Sequence, residues 1–489
     1  MKKLKFILPV IAAMALSGCN IFLPSFSNPS SVENNSQTSE VTSEELESPS
    51  TSGTSEVTSE DTSSTSHTSQ GTSEITTSSE ETSTELQVEE GSRTILIYMC
   101  GADLESGYNP EYGTYSDSYL ASSDLDEIKS VVGQPENVNI VIEAGGAKRW
   151  HSSYSSLIST SKLNRFHLRN NKYISDGKIT RASMGLSSTF QSFLEWGLTN
   201  YPAEKTGVIL WNHGGGMRGV CYDELSNDDS LTNDEVLKAV KNAFTKTNTT
   251  KLEWIGYDAC LMQLQDVAEF NSPYFNYMVA SQESESGYGW DYDTWVDDLY
   301  AGKDTETILT AICDGFIKDN GGINATGDYY EGEYYAADQT LSYLDLNYMD
   351  EYKTAWENMS NVLKTKITST NKSTFNKNII GKTKYFAGED YDYFCEFDVY
   401  HFLTLLEKNS TFNPGASYIK DCKTALNNLV RHSVAQKEAA HDAYGLSFYY
   451  ASGSGYSQTS FSTSTYSNFT NWSYLSKTYG GKLTSSYSY

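Results

Sequence analysis

Two short stretches of this 489-residue chain carry residue types that can do covalent chemistry. Gly207–Gly216 reads GVILWNHGGG, and Trp254–Gln263 reads WIGYDACLMQ. In the first, an apolar run, Val208–Trp211, leads to His213 and three glycines. In the second, Trp254–Tyr257 leads to Cys260 and a further apolar run, Leu261–Phe270, which reads as a helix. Val208–Trp211 and Trp254–Tyr257 have the look of buried strands of a parallel sheet. Ligands of open α/β sheets bind beyond the carboxyl ends of the strands, so His213 and Cys260 are expected to share one crevice. That is a nucleophile-and-base pair. A cysteine attacks as its thiolate, and a thiol at a helix N-terminus is shifted toward that form. Cys260 is expected there. His213 would protonate the leaving amine. Gly214–Gly216 would let substrate approach the backbone, with the amides of Gly214 and Cys260 forming an oxyanion hole worth roughly 3–4 kcal/mol per donor. Taken singly, His213 also reads as a polar strand-end residue and Cys260 as a buried core cysteine.

The elements that must position this pair alternate. Ile95–Met99 and Val138–Glu143 read as strands, with helical character in Asp124–Val132 between them. Phe190–Leu198 reads as the helix before the His213 strand, Leu231–Phe244 as the crossover helix before the Cys260 strand, and Tyr277–Ser281 as a further strand. This order argues for βαβ units and an α/β fold with a mostly parallel sheet. From about Glu306 the pattern is more helical: Ile308–Lys318, Tyr348–Leu363, Val399–Leu406 and Tyr418–Ala435. Gly445–Tyr450 reads as a late strand added to the main sheet, and Ser452–Tyr489 has no clear assignment.

The two stretches resemble the catalytic signatures of the clostripain family of cysteine peptidases: NHGGG at Asn212–Gly216 and DACLM at Asp258–Met262. Thr94–Glu105, Ser123–Ile128, Gly289–Trp295 and Tyr444–Tyr450 resemble further family segments in the same order, so the likeness spans roughly residues 93–455. It implies a caspase-like αβα sandwich, with a catalytic core over 93–305 and a more helical C-terminal lobe over 306–489 packing on it. It implies endopeptidase activity by a Cys–His dyad, with no cofactor required. It also implies a substrate pocket lined by Asp258, two residues before the nucleophile, which favours Arg or Lys before the scissile bond; Asp258 reads equally as a cap on the following helix. The family's second pocket acid falls where this chain has Tyr288, so basic specificity is left open.

The chain opens MKKLKFILPVIAAMALSGC. Three lysines and an apolar run of about twelve residues make a secretory signal too short to span as an ordinary transmembrane helix. Leu16-Ser17-Gly18-Cys19 matches the bacterial lipobox, which predicts cleavage after residue 18 and a lipid on Cys19. Acyl chains contribute about 0.8 kcal/mol per buried methylene, so the mature protein would be held at the extracellular face of the cell membrane. Residues 19–92 are rich in Ser, Thr and Glu, with fourteen acids between Glu33 and Glu90 and no Lys or Arg between Lys5 and Arg93. Such a segment cannot bury enough apolar surface to order itself and reads as an extended, disordered tether. An interaction tail remains its alternative. Of the formal charge of −28, −14 lies there, and −28 − (−14) leaves −14 elsewhere. A folded part this acidic argues against nucleic acid as a partner.

Cys100, Cys221, Cys313, Cys395 and Cys422 show no metal or disulfide spacing and read as buried thiols; no metal site is assigned. Cys221, in the loop after the glycines, is the one competing nucleophile. Between Arg218 and Lys238 there is no Lys or Arg, whereas family members are cut after a basic residue in this loop. The acids crowding it (Asp223, Glu224, Asp228, Asp229, Asp234, Glu235) leave calcium open as a ligand, though their spacing is not an EF-hand loop. Tyrosines cluster at Tyr329–Tyr335, Tyr385–Tyr400 and Tyr449–Tyr489, as a peptide or glycan cleft or as surface packing. Three functions follow: a surface-tethered cysteine endopeptidase acting on protein or peptide substrates, a non-catalytic surface lipoprotein binding peptides or glycans on an inert caspase-like fold, or a structural surface protein. The oligomeric state is not legible.

Overall fold

The computed structural model describes residues 88–109, 114–319, 339–387, 395–436, 441–451 and 467–480. The leader, Cys19, almost all of the tether and the tyrosines of 329–335 and 389–393 lie outside the described residues. Among the described residues fifteen strands run in chain order: β1 (Arg93–Cys100), β2 (Gly107–Asn109), β3 (Thr114–Ser116), β4 (Val138–Gly145), β5 (Lys162–Arg169), β6 (Lys172–Thr180), β7 (Lys205–Trp211), β8 (Val220–Asp223), β9 (Asp229–Leu231), β10 (Leu252–Asp258), β11 (Phe275–Ala280), β12 (Thr340–Asp345), β13 (Glu396–Asp398), β14 (Val430–Ala435) and β15 (Ser447–Tyr449). Nine of them form one sheet in the order β14-β12-β11-β10-β7-β1-β4-β5-β6. Its five central strands, β4, β1, β7, β10 and β11, are parallel, and both flanks are antiparallel.

The central strands are apolar on both faces because helices cover both faces. In β1, Leu96, Tyr98 and Cys100 enter one core while Ile95, Ile97 and Met99 enter the other. The first core takes Phe190, Phe193 and Leu194 from the helix Ser187–Asn200, Val236 and Val240 from Asn233–Thr247, and Trp356 and Met359 from Met349–Lys366. The second takes Leu125 and Ile128 from Leu120–Ser130, Trp295 and Leu299 from Tyr292–Tyr300, and Leu309 and Ile312 from Thr305–Asp319. The result is an αβα sandwich. The crossover helix between β7 and β10 begins on a capping box in which Thr232 and Glu235 satisfy each other's backbone amides.

Three sequence expectations need correction. Tyr418–Ala435 is not one helix: the helix ends at Leu429, and Val430–Ala435 becomes β14, because β12 presents an open edge that the β-branched Val430 and Val434 fill. With that edge occupied, the late strand β15 does not join the main sheet but pairs antiparallel with β13. The region beyond residue 306 therefore supplies β12 and β14 to the central sheet as well as helices. The third correction concerns the chain after Cys260. No helix begins there. Leu261 adopts a left-handed φ of 66°, Leu261 N donates to Glu283 O at 3.1 Å and Gln263 N to Ser281 O at 2.9 Å, so the segment continues alongside the chain leaving β11. The helix opens only at Gln265.

Candidate active site

Sheet register decides where the two reactive residues go. Trp211, the last residue of β7, lies opposite Asp258, the last residue of β10, and Asn212 N donates to Asp258 O at 3.3 Å. His213 and Cys260 each follow two residues after that matched pair, so they leave adjacent parallel strands at the same level. His213, Cys260, Asp258, Glu285, Trp211 and Gly289 line one cleft. Gly214 packs directly on the backbone of Cys260: a Cβ at 214 would collide with the Cys260 carbonyl oxygen and crowd its amide nitrogen. That is why the residue after His213 is a glycine, and it makes the amides expected to form the oxyanion hole close neighbours. The turn then folds back, with Gly215 N donating to Gly219 O at 2.9 Å and Cys221 N to His213 O at 3.1 Å. Asn212 holds its base, giving a hydrogen bond to Cys100 O at 2.8 Å and accepting one from Tyr222 N at 2.7 Å.

Cys260 is 4% exposed. With the helix start five residues further on, at Gln265, the helix dipole does not act on Sγ. A different donor does: the amide of Glu285 points at Cys260 Sγ at 3.2 Å. The imidazole of His213 is held by a residue that sequence reasoning passed over. Its Nε2 lies 2.9 Å from Oδ1 of Asp103, in the short helix Ala102–Ser106 that follows β1. Burial pulls the His213 pKa down, but the Asp103 carboxylate and, behind it, Glu224 outweigh this and leave it raised. Burial pushes Asp103 the other way, and the imidazolium more than offsets that, so its carboxyl titrates below the ordinary range. The available signal was positional: Asp103 follows a parallel strand adjacent to β7, at the same crevice.

The floor of the cleft is acidic. Asp258 accepts from the Tyr292 hydroxyl at 2.8 Å, and Asp124 accepts from Trp211 Nε1 at 2.6 Å. Glu285 is 6% exposed, and neither of its carboxylate oxygens has a hydrogen bond of ordinary geometry, although it lies near enough to Asp258 for each to shift the other's titration. Burial raises Asp258 to about 6, against the hydrogen bond from Tyr292. Burial and then the charge of Asp258 push Glu285 well up, and the same two causes push Asp124 up. Glu127, raised by burial to about 7, stands next to them. None of these four acids forms an ion pair with a Lys, Arg or His among the described residues; the ion pair at this cleft is that of His213 with Asp103. Tyr288 is 42% exposed; the cleft wall passes through Gly287 and Gly289 without it.

The other cysteines are placed elsewhere. Cys221 is wholly buried in β8, and burial pushes its thiol pKa up, away from the thiolate a nucleophile needs. The loop acids have structural partners. Asp223 accepts from Met184 N and Leu225 N, each at 3.0 Å, Asp229 accepts from the Ser183 hydroxyl, and Glu235 closes the capping box. No group of three or more His, Cys, Asp or Glu side chains is arranged to hold a metal among the described residues.

The sequence profile of the clostripain family of C11 peptidases matches residues 111–479. The chain belongs to the clostripain family. It is accordingly a clostripain-like cysteine peptidase, a hydrolase of peptide bonds. Clostripain itself, from Hathewaya histolytica, is 24% identical over 402 residues, covering 71% of this chain and 72% of that protein. A secreted C11 cysteine protease from Bacteroides thetaiotaomicron, solved with an irreversible peptide inhibitor, superposes with a TM-score of 0.55 at 16% identity, covering 78% of this chain and 99% of that one. An inactive C11 zymogen from Parabacteroides distasonis gives 0.53 at 15% identity, covering 78% and 97%. These clostripain-family structures share the caspase-like fold read from the sheet order above.

Proposed function

We propose that this clostripain-family member is a surface-tethered endopeptidase that works through Cys260 and His213 and cleaves after Arg or Lys. The observation that carries the reading is the Trp211–Asp258 register, which delivers His213 and Cys260 to one cleft over an acidic floor. The Cys260 thiolate attacks the scissile carbonyl carbon, forming the C–S bond. The amides of Gly214 and Cys260 take up the developing oxyanion. As the tetrahedral intermediate collapses, the C–N bond breaks and His213 gives its proton to the leaving amine. Water then releases the acyl group, with His213 taking its proton. The reaction needs no cofactor and routes nothing through calcium.

The preference for a basic residue is supported by Asp258 and Glu285 forming no ion pair among the described residues. A buried carboxyl pair without a counter-ion is costly to ionise, and a guanidinium or ammonium entering the cleft supplies the charge it needs. Glu285 takes the place that the sequence left to Tyr288. Cys19 carries the lipid, and residues 19–92 hold the catalytic domain off the extracellular face of the cell membrane; both rest on the lipobox and the composition alone. A panel of fluorogenic peptides varied at the residue before the scissile bond tests the reading: cleavage after Arg or Lys, absent in Cys260→Ala, is expected. Equal cleavage after all residues would remove the basic preference, and activity retained by Cys260→Ala would remove the nucleophile.

A further inference from the structure

We propose that Asp103 completes a three-residue set with His213 and Cys260, acting as a positioning residue that keeps the imidazole charged and commits its Nε2 away from the reacting atoms, with Glu224 as a second anion behind it. The inference rests on His213 being the proton donor proposed above, and it replaces a two-residue mechanism with a three-residue one.

The topology makes the set compact. β10, β7 and β1 are consecutive neighbours in the sheet, and their register aligns Met99 with Trp211 and Trp211 with Asp258. Each strand then delivers one member just past its carboxyl end: Cys260, His213 and Asp103. Such a spread over three strands fixes the geometry by the sheet itself rather than by a flexible loop.

The turn that carries Asp103 is clamped by backbone. Gly101 N donates to Gly145 O at 2.8 Å, and Glu105 N donates to Gly101 O at 2.9 Å. Ala102 is held at a left-handed φ of 40°. The fully buried Glu105 accepts from Ser122 N and His151 N, both at 2.9 Å, and from the Ser122 hydroxyl at 2.6 Å. Ser106 accepts from Arg149 N at 2.8 Å. None of these contacts uses the Asp103 carboxylate, which accepts from the backbone amides of Asp103 and Leu104 and is presented to His213. The nearby Arg149 is engaged with Asp117 at 2.7 Å.

The pairing dictates the tautomer. With Nε2–H given to Asp103, proton exchange with substrate falls to Nδ1. The charged groups acting on this centre come from three places: Asp103 from the turn after β1, Glu224 and Asp228 from the segment after β8, and Lys148 from the segment after β4. Glu224 is itself raised to about 7 by burial and then by Asp103, with Lys148 and His213 opposing. Asp103 is one-third exposed, so a plain surface ion pair is the competing account, and such pairs contribute little to stability. Stability therefore does not discriminate; the pH profile does.

The test uses the reduced full chain, with Asp103→Asn, Asp103→Glu and Glu224→Gln. It reads kcat and KM for a cleaved peptide, the basic limb of kcat/KM, and Cys260 alkylation by iodoacetamide against pH. Asp103→Asn is expected to lower kcat about 100-fold with KM within about twofold, and to move the basic limb down by roughly one pH unit because the imidazolium loses its anion. Asp103→Glu is expected to recover part of both, which separates charge from fold should Asp103→Asn unfold. Glu224→Gln is expected to move the limb in the same direction by less. A basic limb that stays put in Asp103→Asn, or no recovery in Asp103→Glu, overturns the proposal. Failure of the parent reading looks different: His213→Ala would then leave both peptide cleavage and the alkylation profile at wild-type values.

Discussion

The amide nitrogen of Glu285 lies 3.2 Å from Sγ of Cys260, while the carboxyl group of the same residue is buried beside Asp258. One residue thus reaches the Cys260 sulfur with its backbone and Asp258 with its side chain, and in the proposed reaction it would serve both thiolate and pocket. The two jobs separate in Glu285→Gln. That variant keeps the amide, so the pH profile of Cys260 alkylation should stay at its wild-type position. It loses the charge, so kcat/KM for an Arg peptide should fall tenfold or more, about 1.4 kcal/mol, relative to a neutral peptide. A matched fall for both peptides would show that Glu285 does not contribute to selection.

Asp258 links specificity to stability. Burial raises its carboxyl to about 6, above the ordinary value of about 3.9. A raised acid stabilises the fold in its protonated form. That contribution is present in full below about pH 3.9 and is lost as pH rises through about 6. Asp258→Asn removes the titration while keeping an acceptor for the Tyr292 hydroxyl. It should therefore melt higher than wild type at pH 8, by up to roughly 3 kcal/mol for a shift of about two units, and gain nothing at pH 4. Cleavage after Arg should drop in the same variant. Thermal denaturation at the two pH values checks the first part, and a variant less stable than wild type at pH 8 would contradict it.

How much of this was legible beforehand follows from which forces act locally. Val208–Trp211 and Trp254–Tyr257 announce buried strands because both faces of a central parallel strand are apolar, and that alone places His213 and Cys260 together. Leu261–Phe270 satisfies a helical pattern with its apolar residues, while the hydrogen bonds that hold Leu261 and Gln263 out of a helix go to Glu283 and Ser281, some twenty residues away. Val430–Ala435 continues a helical pattern for a similar reason: the open edge of β12 that recruits it is invisible in the local sequence. Asp103 and Glu285 were overlooked because each is an ordinary acid until the sheet brings it beside His213 or Asp258.

Gly214 tests the close approach of the two catalytic turns. Adding a methyl group in Gly214→Ala drives a Cβ into the Cys260 carbonyl, so one turn must move. Because an oxyanion donor misplaced in this way costs on the order of 100-fold or more in kcat, that loss is expected with the secondary structure intact. Circular dichroism and steady-state rates check it together, and a variant with wild-type kcat would show that this backbone contact does not serve the reaction.

The proposed anchor is independent of the proposed chemistry. If Cys19 carries the lipid, Cys19→Ala should move the protein from the membrane fraction to the soluble fraction and abolish incorporation of an alkyne-labelled fatty acid. Peptidase activity per molecule should be unchanged, since Cys19 has no role in the proposed reaction. Membrane retention of that variant would contradict lipidation.

The central claim is that the thiol of Cys260 is made reactive by His213 in a shared cleft. The direct measurement is labelling of the reduced protein with a thiol-reactive peptide probe, located by mass spectrometry. The account predicts modification of Cys260, its loss in His213→Ala, and little change in Cys221→Ala. Modification of Cys221 in place of Cys260, or full labelling of Cys260 without the His213 imidazole, would contradict it.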